Sequence, residues 1–514
     1  MLRASLLISC AVVLGLSALP AAAQDDLESR LMKLEKDYVE LLMRDREKAQ
    51  ELDRVQAELD ALRGGRPPPP APTPVVAPAS TGHAGHDHGA HDHAGHDDGS
   101  GHAHGPGAGD VLVESGRFRF WTPSIGLDFL AYGDDAGRES LEERFGELRG
   151  FGGGHDHDHE GDDHAGHGHG ILKDGFNLRH AEIGLAAELV GFGRLQALIN
   201  LDTDGIEAEE VYFQSDRIAD LASVRLGRFR SGFGFFNERH SPEWAFADAP
   251  MAHYLIFGDH GLRDLGARLN LAPAGSGLEF GVEAFQGDGE TLFARVDGAG
   301  KAHDPGLVVA WAKASVWSSG GTSLRLGMGG GYGQHQQALA HHDDHDHEDE
   351  DHDHEDEDHD AEAEAEVFGH GDAWFITPGF ELVHRAGGLR GQGDVVLRGE
   401  YIHRVISLDV LGEGTRWRSA QDGYHIEGIY GVAPGLDAGL RFGQVGLTNN
   451  QREAGMREAF GDSWRLGGLA AYRFNDWSRV SVQTNYGRYD FEDGRKGVFQ
   501  ALARFTMQLG PHLH

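Results

Sequence analysis

The chain has 514 residues, with 83 acidic against 45 basic side chains and a net charge of −38 at pH 7. This balance excludes a nucleic-acid partner, because phosphate backbones bind to basic surfaces. Beyond the N-terminal stretch, no run of about 18 apolar residues occurs, which excludes a transmembrane helix.

The first 23 residues have the pattern of a secretory signal peptide. Arg3 precedes an apolar stretch from Ala4 to Leu19, and the small residues that follow fit cleavage after Ala23. A lipoprotein signal ending at Cys10 is the alternative, but the apolar stretch continues beyond that cysteine. Removal of residues 1–23 leaves a mature chain without cysteine, which excludes disulfides and thiolate metal sites.

Residues 25–64 carry apolar side chains at alternating spacings of four and three. A heptad pattern of this length predicts a coiled coil, and a single solvated helix is the alternative. Two polar positions within the pattern, Asp45 and Lys48, are where register or helix number would be specified. The apolar positions are Leu27, Leu31, Leu34, Tyr38, Leu41, Leu52, Val55, Leu59 and Leu62.

Two low-complexity segments follow the predicted coiled coil. Residues 65–80 are rich in proline, including Pro67 to Pro70, and predict a stiff, extended linker. Residues 81–110 consist largely of His, Gly, Ala and Asp, a composition that cannot form a core and predicts disorder.

From about residue 117 the apolar residues alternate with polar ones. In 181–189, for example, Ile183 and Leu185 share one face, while His180 and Glu182 lie on the other. Such alternation predicts an all-β transmembrane barrel whose apolar face meets lipid and whose interior is polar and hydrated. The sixteen expected antiparallel strands are 117–132, 175–189, 193–203, 207–215, 222–230, 264–272, 277–286, 307–317, 322–334, 371–385, 393–406, 420–431, 437–446, 463–474, 479–488 and 497–509.

The lengths of the connections favour a barrel of residues 111–514 in the bacterial outer membrane. Short turns alternate with long loops, as periplasmic turns alternate with outer loops in such barrels. An even number of strands places both barrel ends in the periplasm, together with the coiled coil. The longer loops are 133–174, 231–263, 287–306, 335–370, 407–419 and 447–462, and two of them contain the His-rich stretches 152–170 and 340–366.

The segment from Val224-Arg225-Leu226-Gly227-Arg228-Phe229 through Gly261-Leu262 to Leu271-Ala272-Pro273 resembles the phosphate-selective porin superfamily. It is most similar to the His-rich, zinc-regulated outer-membrane branch, and the resemblance covers about residues 117–509. It implies a sixteen-stranded barrel, usually a homotrimer in outer-membrane lipid. Lys, which lines the pore of the anion-selective members, is scarce here.

The third outer loop, 231–263, corresponds to the loop that folds into the lumen of general porins and narrows it. We therefore expect its polar residues, with two arginines at the end of the preceding strand, to form a pore constriction. The candidates are Arg228, Arg230, Asn237, Glu238, Arg239, His240, Asp248, His253, Asp259 and His260.

Twenty-one of the 33 histidines lie in three tracts interleaved with acidic residues. Imidazole and carboxylate groups bind zinc and other divalent transition metals, and flexible tracts offer many overlapping ligand sets. Loosely bound zinc or another divalent transition metal is thus the expected cofactor, and an acidic solvated loop without ligand is the alternative. The tract histidines are His83, His86, His88, His91, His93, His96, His102 and His104; His155, His157, His159, His164, His167 and His169; and His341, His342, His345, His347, His352, His354 and His359.

Three functions remain open from the sequence. The first is a porin for small ions or solutes that is linked to zinc or other divalent metal uptake. The second is an anion or general porin whose tracts only buffer metal, and the third is a stalked, metal-sequestering envelope protein anchored by its barrel. We expect no enzyme, because the chain contains no G-x-S-x-G, H-E-x-x-H or phosphate-loop motif.

Overall fold

The computed structural model describes residues 111–137, 139–151, 172–201, 205–289, 291–296, 305–339, 367–412 and 414–510. The predicted signal peptide, coiled coil, proline-rich linker and all three histidine tracts lie outside these residues and stay predictions. Within the described part of the chain, no helix has the length and hydrophobicity needed to span a membrane.

In the described residues, nineteen strands pair into one antiparallel sheet. They are β1 (Val111–Ser115), β2 (Phe118–Trp121), β3 (Ser124–Asp134), β4 (Gly175–Leu189), β5 (Gly193–Leu201), β6 (Ile206–Ser215), β7 (Ala222–Arg230), β8 (Arg263–Leu271), β9 (Leu278–Phe285), β10 (Leu307–Ser319), β11 (Thr322–Leu339), β12 (Val367–His384), β13 (Val395–Val410), β14 (Arg416–Ala433), β15 (Leu436–Glu453), β16 (Met456–Ala459), β17 (Ser463–Asn475), β18 (Ser478–Phe491) and β19 (Gly494–Leu509).

The sheet closes on itself between its first and last long strands. β19 pairs with β3 from Gln500 opposite Asp134 to Leu509 opposite Ile125. Sixteen strands, β3 to β15 and β17 to β19, therefore form a closed barrel wall, which confirms the predicted fold class. The three short strands are additions: β1 and β2 form a hairpin that pairs with the end of β4, and β16 extends the outer end of β15.

Most wall strands differ from their predicted bounds by a few residues, and two of the differences have identifiable reasons. The expected strand 117–132 is interrupted at Thr122 and Pro123, because proline has no N–H to donate to a ladder. β15 continues to Glu453 rather than ending at residue 446. Its last residues are polar, so the ladder continues there without the apolar alternation that marks the rest of the strand.

The alternation predicted from the sequence is confirmed in the wall. The outward side chains of Leu265, Leu440 and Val482 are 54%, 66% and 53% exposed, whereas the inward Glu182 and Arg504 are buried. A sheet that presents its large apolar residues on the outer surface and its charges inside has the opposite arrangement to a soluble β-sandwich.

Glycine fixes the shortest connections at one end of the barrel. Gly320 and Gly321 link β10 to β11 with φ angles of 59° and 78°, the two left-handed residues of a type I′ hairpin turn. The other end carries the longer connections, including residues 231–262 between β7 and β8. We call this segment L3; it contains a 3₁₀ turn (Ser241–Glu243) and helix α1 (Met251–Phe257).

An apolar cluster occupies the half of the barrel that lies nearer the long loops. Phe233 and Phe257 of L3 pack against Phe375 of β12, with ring centroids 4.9 to 5.0 Å apart. Leu141 and Phe145, from the connection between β3 and β4, belong to the same cluster. The expected polar, hydrated interior is therefore wrong for this half, because its loops bring their own apolar side chains into the lumen.

Candidate functional site

L3 leaves and re-enters the wall through a neck that is bridged by the backbone hydrogen bond from Ser231 N–H to the Leu262 carbonyl (2.9 Å) and by one amide side chain. Asn237 Nδ2 donates to the carbonyl oxygens of Ser231 (2.8 Å) and Leu262 (3.1 Å), while Asn237 Oδ1 accepts from the N–H of Leu262 (2.8 Å). Asn237 was predicted at the constriction, and the structure places it in this buried neck. It holds the two ends of L3 together, so that the residues between them project into the barrel.

The middle of L3 lies against a set of inward arginines that we call the arginine wall. Arg465 Nη2 donates to the Ala249 carbonyl (2.8 Å), and Arg504 Nη2 donates to the Ser241 carbonyl (2.7 Å). Five strands thus hold one loop through guanidinium groups, each of which offers several donors in a fixed plane. The arginine wall consists of Arg179 (β4), Arg441 (β15), Arg465 (β17), Arg479 (β18) and Arg504 (β19).

Asp248 is the charged contact of L3 with the arginine wall. Its carboxylate pairs with Arg441 and lies 3.0 Å from Arg465 Nη1, and it also accepts from the side-chain amides of Gln483 (2.6 Å) and Asn485 (3.1 Å). Burial alone would raise the pKa of Asp248, but the two arginines outweigh burial and hold it well below its ordinary value. This predicted constriction residue is therefore ionised and fully engaged.

On another part of the wall, a β-bulge directs two adjacent carboxylates into the lumen. The pairing of β5 with β6 skips Glu209, so that Glu209 and Glu210 are both buried instead of alternating. Arg230 Nη2 lies 2.8 Å from Glu209, and His240 of L3 lies 3.5 Å from Glu209 and 3.4 Å from Glu210. Sequence reasoning missed both glutamates, although adjacent acids within a strand are a signal for a bulge.

The charges around His240 fix its protonation state. Burial opposes the imidazolium, but the carboxylates of Glu210 and Glu209 outweigh burial and raise the pKa of His240 to about 10. Metal binding requires a neutral imidazole. His240, a predicted contact for transported ions, is therefore an ion-pair partner that joins L3 to β6.

Most other predicted constriction residues form ion pairs between L3 and the wall. Glu238 accepts from Lys313 of β10 (2.5 Å), and Arg239 lies 2.5 Å from Glu381 of β12. Asp259 lies 3.8 Å from Arg179, and the carbonyl of His260 accepts from Arg230 (2.5 Å). The charges of L3 and of the wall neutralise one another in these contacts. We therefore infer that these residues hold the loop in position.

Arg228 does not join this group. It shares the outward face of β7 with Leu226, its side chain is 45% exposed, and it pairs with Glu207 at 3.0 Å. Its placement at the constriction was wrong, because strand alternation turns position 228 away from the lumen.

Among the described residues, two groups of side chains have the composition and spacing of metal ligands. One consists of His253, Glu400 and His425, and the other of His180, Glu182 and Glu209. In each group the candidate ligand atoms lie within 4.8 Å of one another, and all six residues are buried. His253 was predicted as a candidate, whereas the other five come from strands that L3 or the bulge brings together.

A cavity of about 460 Å³ lies beneath L3 and extends toward the short turns. Its lining contains six arginines and four glutamates, so its charge is mixed with an excess of cationic groups. The arginines are Arg225, Arg230, Arg239, Arg268, Arg325 and Arg385, and the glutamates are Glu210, Glu238, Glu243 and Glu279.

No family model matches the chain. It is 38% identical over 131 residues to an uncharacterized protein of Aquifex aeolicus (strain VF5), a match that spans 25% of this chain and 28% of that relative. Among solved structures it is similar to a loop-deletion mutant of the Vibrio cholerae outer-membrane protein OmpT (11% identity, 76% of this chain and 100% of that chain, TM-score 0.45). It is also similar to the outer-membrane channel DcaP of Acinetobacter baumannii (12%, 76% and 97%, 0.45) and to an anion-selective porin from Comamonas acidovorans (10%, 76% and 100%, 0.41).

Proposed function

We propose that the chain is a bacterial outer-membrane porin that lets small solutes diffuse and is linked to the uptake of zinc or another divalent metal. The observation that carries this proposal is the closed sixteen-stranded barrel, with apolar side chains outside and a charged loop across its lumen. A closed barrel leaves no unpaired strand edge, and its alternating faces suit lipid outside and polar groups inside.

The histidine tracts support the link to metal. The second tract belongs to the connection between β3 and β4, and the third to the connection between β11 and β12. Both connections belong to the end of the barrel that carries L3. Metal ions collected there would be concentrated at the mouth of the proposed pore, and the many acidic residues of the tracts would further attract cations.

The apolar cluster makes the proposed pore a gated one. Its residues join L3 and two neighbouring connections to the wall in the outer half of the barrel. We propose that a hydrated solute crosses this half when one of those segments moves. We therefore expect small, intermittent conductance rather than the steady current of a wide open channel.

A second candidate, an anion or general porin, is favoured by the cavity beneath L3. Six arginines against four glutamates in its lining would attract anions more than cations. The resemblance to phosphate-selective porins supports the same alternative. In that case the histidine tracts serve only as metal buffers outside the pore.

Recordings of the purified full-length chain in planar lipid bilayers test the proposal. Under a potassium chloride gradient, the sign of the reversal potential gives the selectivity, and zinc chloride is then added to each side in turn. Cation preference with a zinc-dependent change in current supports the first candidate, and anion preference supports the second. A correctly folded barrel without current overturns both and leaves the stalked, metal-sequestering protein.

We also propose a homotrimer, on the basis of the heptads in residues 25–64 and the resemblance to trimeric porins. Native mass spectrometry of detergent-solubilised protein, with and without residues 25–64, measures the number of chains. A trimer that dissociates when the segment is removed supports the proposed stalk. A monomer in both preparations overturns it.

A further inference from the structure

We propose that His253, Glu400 and His425 form a buried site for one divalent transition-metal ion that fastens L3 to the barrel wall. His253 lies on helix α1 of L3, Glu400 on β13 and His425 on β14. The site would exist only while L3 is folded into the lumen, because one ligand belongs to the loop and two belong to the wall.

The three side chains converge at one point. His253 Nε2 lies 2.7 Å from Glu400 Oε2, and the imidazole rings of His253 and His425 lie 5.7 Å apart at an angle of 68°. The other oxygen of Glu400 accepts the N–H of Phe235, so L3 contributes a backbone donor that orients the carboxylate. Such support of a ligand by a second hydrogen bond is typical of metal sites.

His425 supplies the observation that points to a ligand. Only 1% of the residue is exposed, and neither ring nitrogen has a hydrogen-bond partner among the described residues. Buried polar atoms in folded proteins are nearly always paired, and an imidazole has at least one donor to satisfy. A metal ion bound to a His425 nitrogen would provide the missing interaction.

The composition of the site defines the class of ion. Two imidazoles and one carboxylate bind zinc with a fourth position left for water, and the same set also suits iron(II) and cobalt(II). Ligand atoms around tetrahedral zinc lie about 3.3 Å apart, given bonds of roughly 2.0 to 2.2 Å. Small side-chain rotations would bring atoms that now lie within 4.8 Å of one another to that spacing.

The surroundings distinguish this group from the second cluster. Rings of Phe236 and Phe257 lie 4.7 and 5.9 Å from the ring of His253, so the site is bordered by apolar side chains. In the cluster of His180, Glu182 and Glu209, by contrast, the carboxylate of Glu209 already lies 2.8 Å from Arg230 Nη2. A metal ion there would face a guanidinium group, whereas no Lys or Arg side chain of the described residues forms an ion pair with Glu400.

Crystals of the full-length protein grown with zinc chloride test the site directly, with anomalous diffraction measured above and below the zinc edge. The expected result is a peak between the three side chains in the wild type and its loss in His425→Asn. His403→Asn is the matched control, because His403 lies on β13 like Glu400 but on the opposite face of the strand, where its ring lies 5.5 Å from that of Trp374. Absence of the wild-type peak at saturating zinc overturns the proposal.

A second variant, Glu400→Gln, keeps the test decisive if His425→Asn does not fold. The amide retains the shape of the carboxylate but lacks its charge, so the peak should fall to a small fraction of the wild-type height. An unchanged peak in folded Glu400→Gln protein overturns the assignment of the ligand.

The effect on current rests on the proposed porin function and is measured separately. Zinc should reduce the open time of the wild type and of His403→Asn several-fold, and should leave His425→Asn unaffected. A folded barrel that conducts no current contradicts the proposed porin function. The metal site is then still tested by the anomalous diffraction peak. Equal zinc responses in all three proteins defeat the fastening role.

Discussion

Asp248 Oδ2 lies 3.0 Å from Arg465 Nη1, and this buried contact ties L3 to strand β17 on the far side of the barrel. Both side chains are at most 6% exposed. Removal of one partner of a buried ion pair strongly lowers the free energy of unfolding, because the other charge is left without compensation in a medium of low polarity. L3 is therefore held by charge on the arginine wall, by ion pairs with β6, β10 and β12, and by apolar packing.

Asp248→Asn should loosen L3. The variant keeps the shape of the side chain but leaves Arg441 and Arg465 without their carboxylate. We expect the free energy of unfolding in urea to fall by roughly 3 kcal/mol, and the single-channel current to rise as the loop detaches more often. Asp437→Asn is the control, since the Asp437–Arg473 pair is partly exposed and should contribute less than about 1 kcal/mol. Equal effects of the two variants would contradict the assigned role of Asp248.

His240 should make the attachment of L3 depend on pH. Its pKa in the folded protein is about 10, above the ordinary value of 6.5, because Glu210 and Glu209 outweigh the effect of burial. A raised pKa stabilises the fold fully below about pH 6.5, and this stabilisation is lost as pH rises to about 10. The loss should be on the order of 4 kcal/mol in unfolding free energy. In His240→Gln, the difference between the unfolding free energies at pH 6.5 and at pH 10 should be smaller than in the wild type by that amount. An unchanged pH profile would contradict the assigned role of His240.

Leu440 tests the outward face of the wall. It is 66% exposed on β15, where we expect the acyl chains of a bilayer. Leu440→Arg should destabilise the barrel folded in lipid vesicles by up to roughly 4 kcal/mol, according to the depth of the residue in the membrane. Leu440→Ala, which removes apolar area without adding charge, should cost distinctly less. Tolerance of Leu440→Arg in vesicles would contradict the lipid contact.

The third histidine tract should account for part of the bound zinc. Replacement of residues 341–359 by a Gly/Ser segment of equal length removes seven histidines. With three or four ligands per ion, equilibrium dialysis should show a loss of about one or two zinc ions per chain. Zinc retention by the wild type should also fall below about pH 6, as the imidazoles become protonated. Unchanged stoichiometry would remove this tract from the proposed metal uptake.

The strands could be predicted from the sequence because lipid imposes a strict rule on every second residue. All sixteen wall strands have counterparts among the predicted segments, and β4 and β7 have the predicted bounds. The rule fails where a strand extends beyond the membrane and has no contact with lipid, as we expect at the polar outer end of β15. It also fails at Glu209, where a bulge adds one residue and reverses the alternation.

The candidate site was less predictable, because it depends on contacts between distant parts of the chain. His253 was proposed from its position in L3, but nothing near it in the sequence indicates Glu400 or His425. Those two residues meet because β13 and β14 pair with Glu400 opposite His425. The conformation of L3 then decides which loop residue faces them, and that conformation depends on the arginine wall and on the ion pairs of L3 with other strands.

The pairing of β3 with β19 has a consequence for assembly. Ile125 and Leu509 are partners 384 residues apart in the sequence, so this seam cannot form until the chain through Leu509 is present. Until then both strands expose unpaired backbone groups, which are sites for pairing with other chains. Contacts between such distant residues form slowly, because a long loop must first be closed. We therefore expect closure of this seam to limit the folding rate and to need protection by assembly factors in the cell.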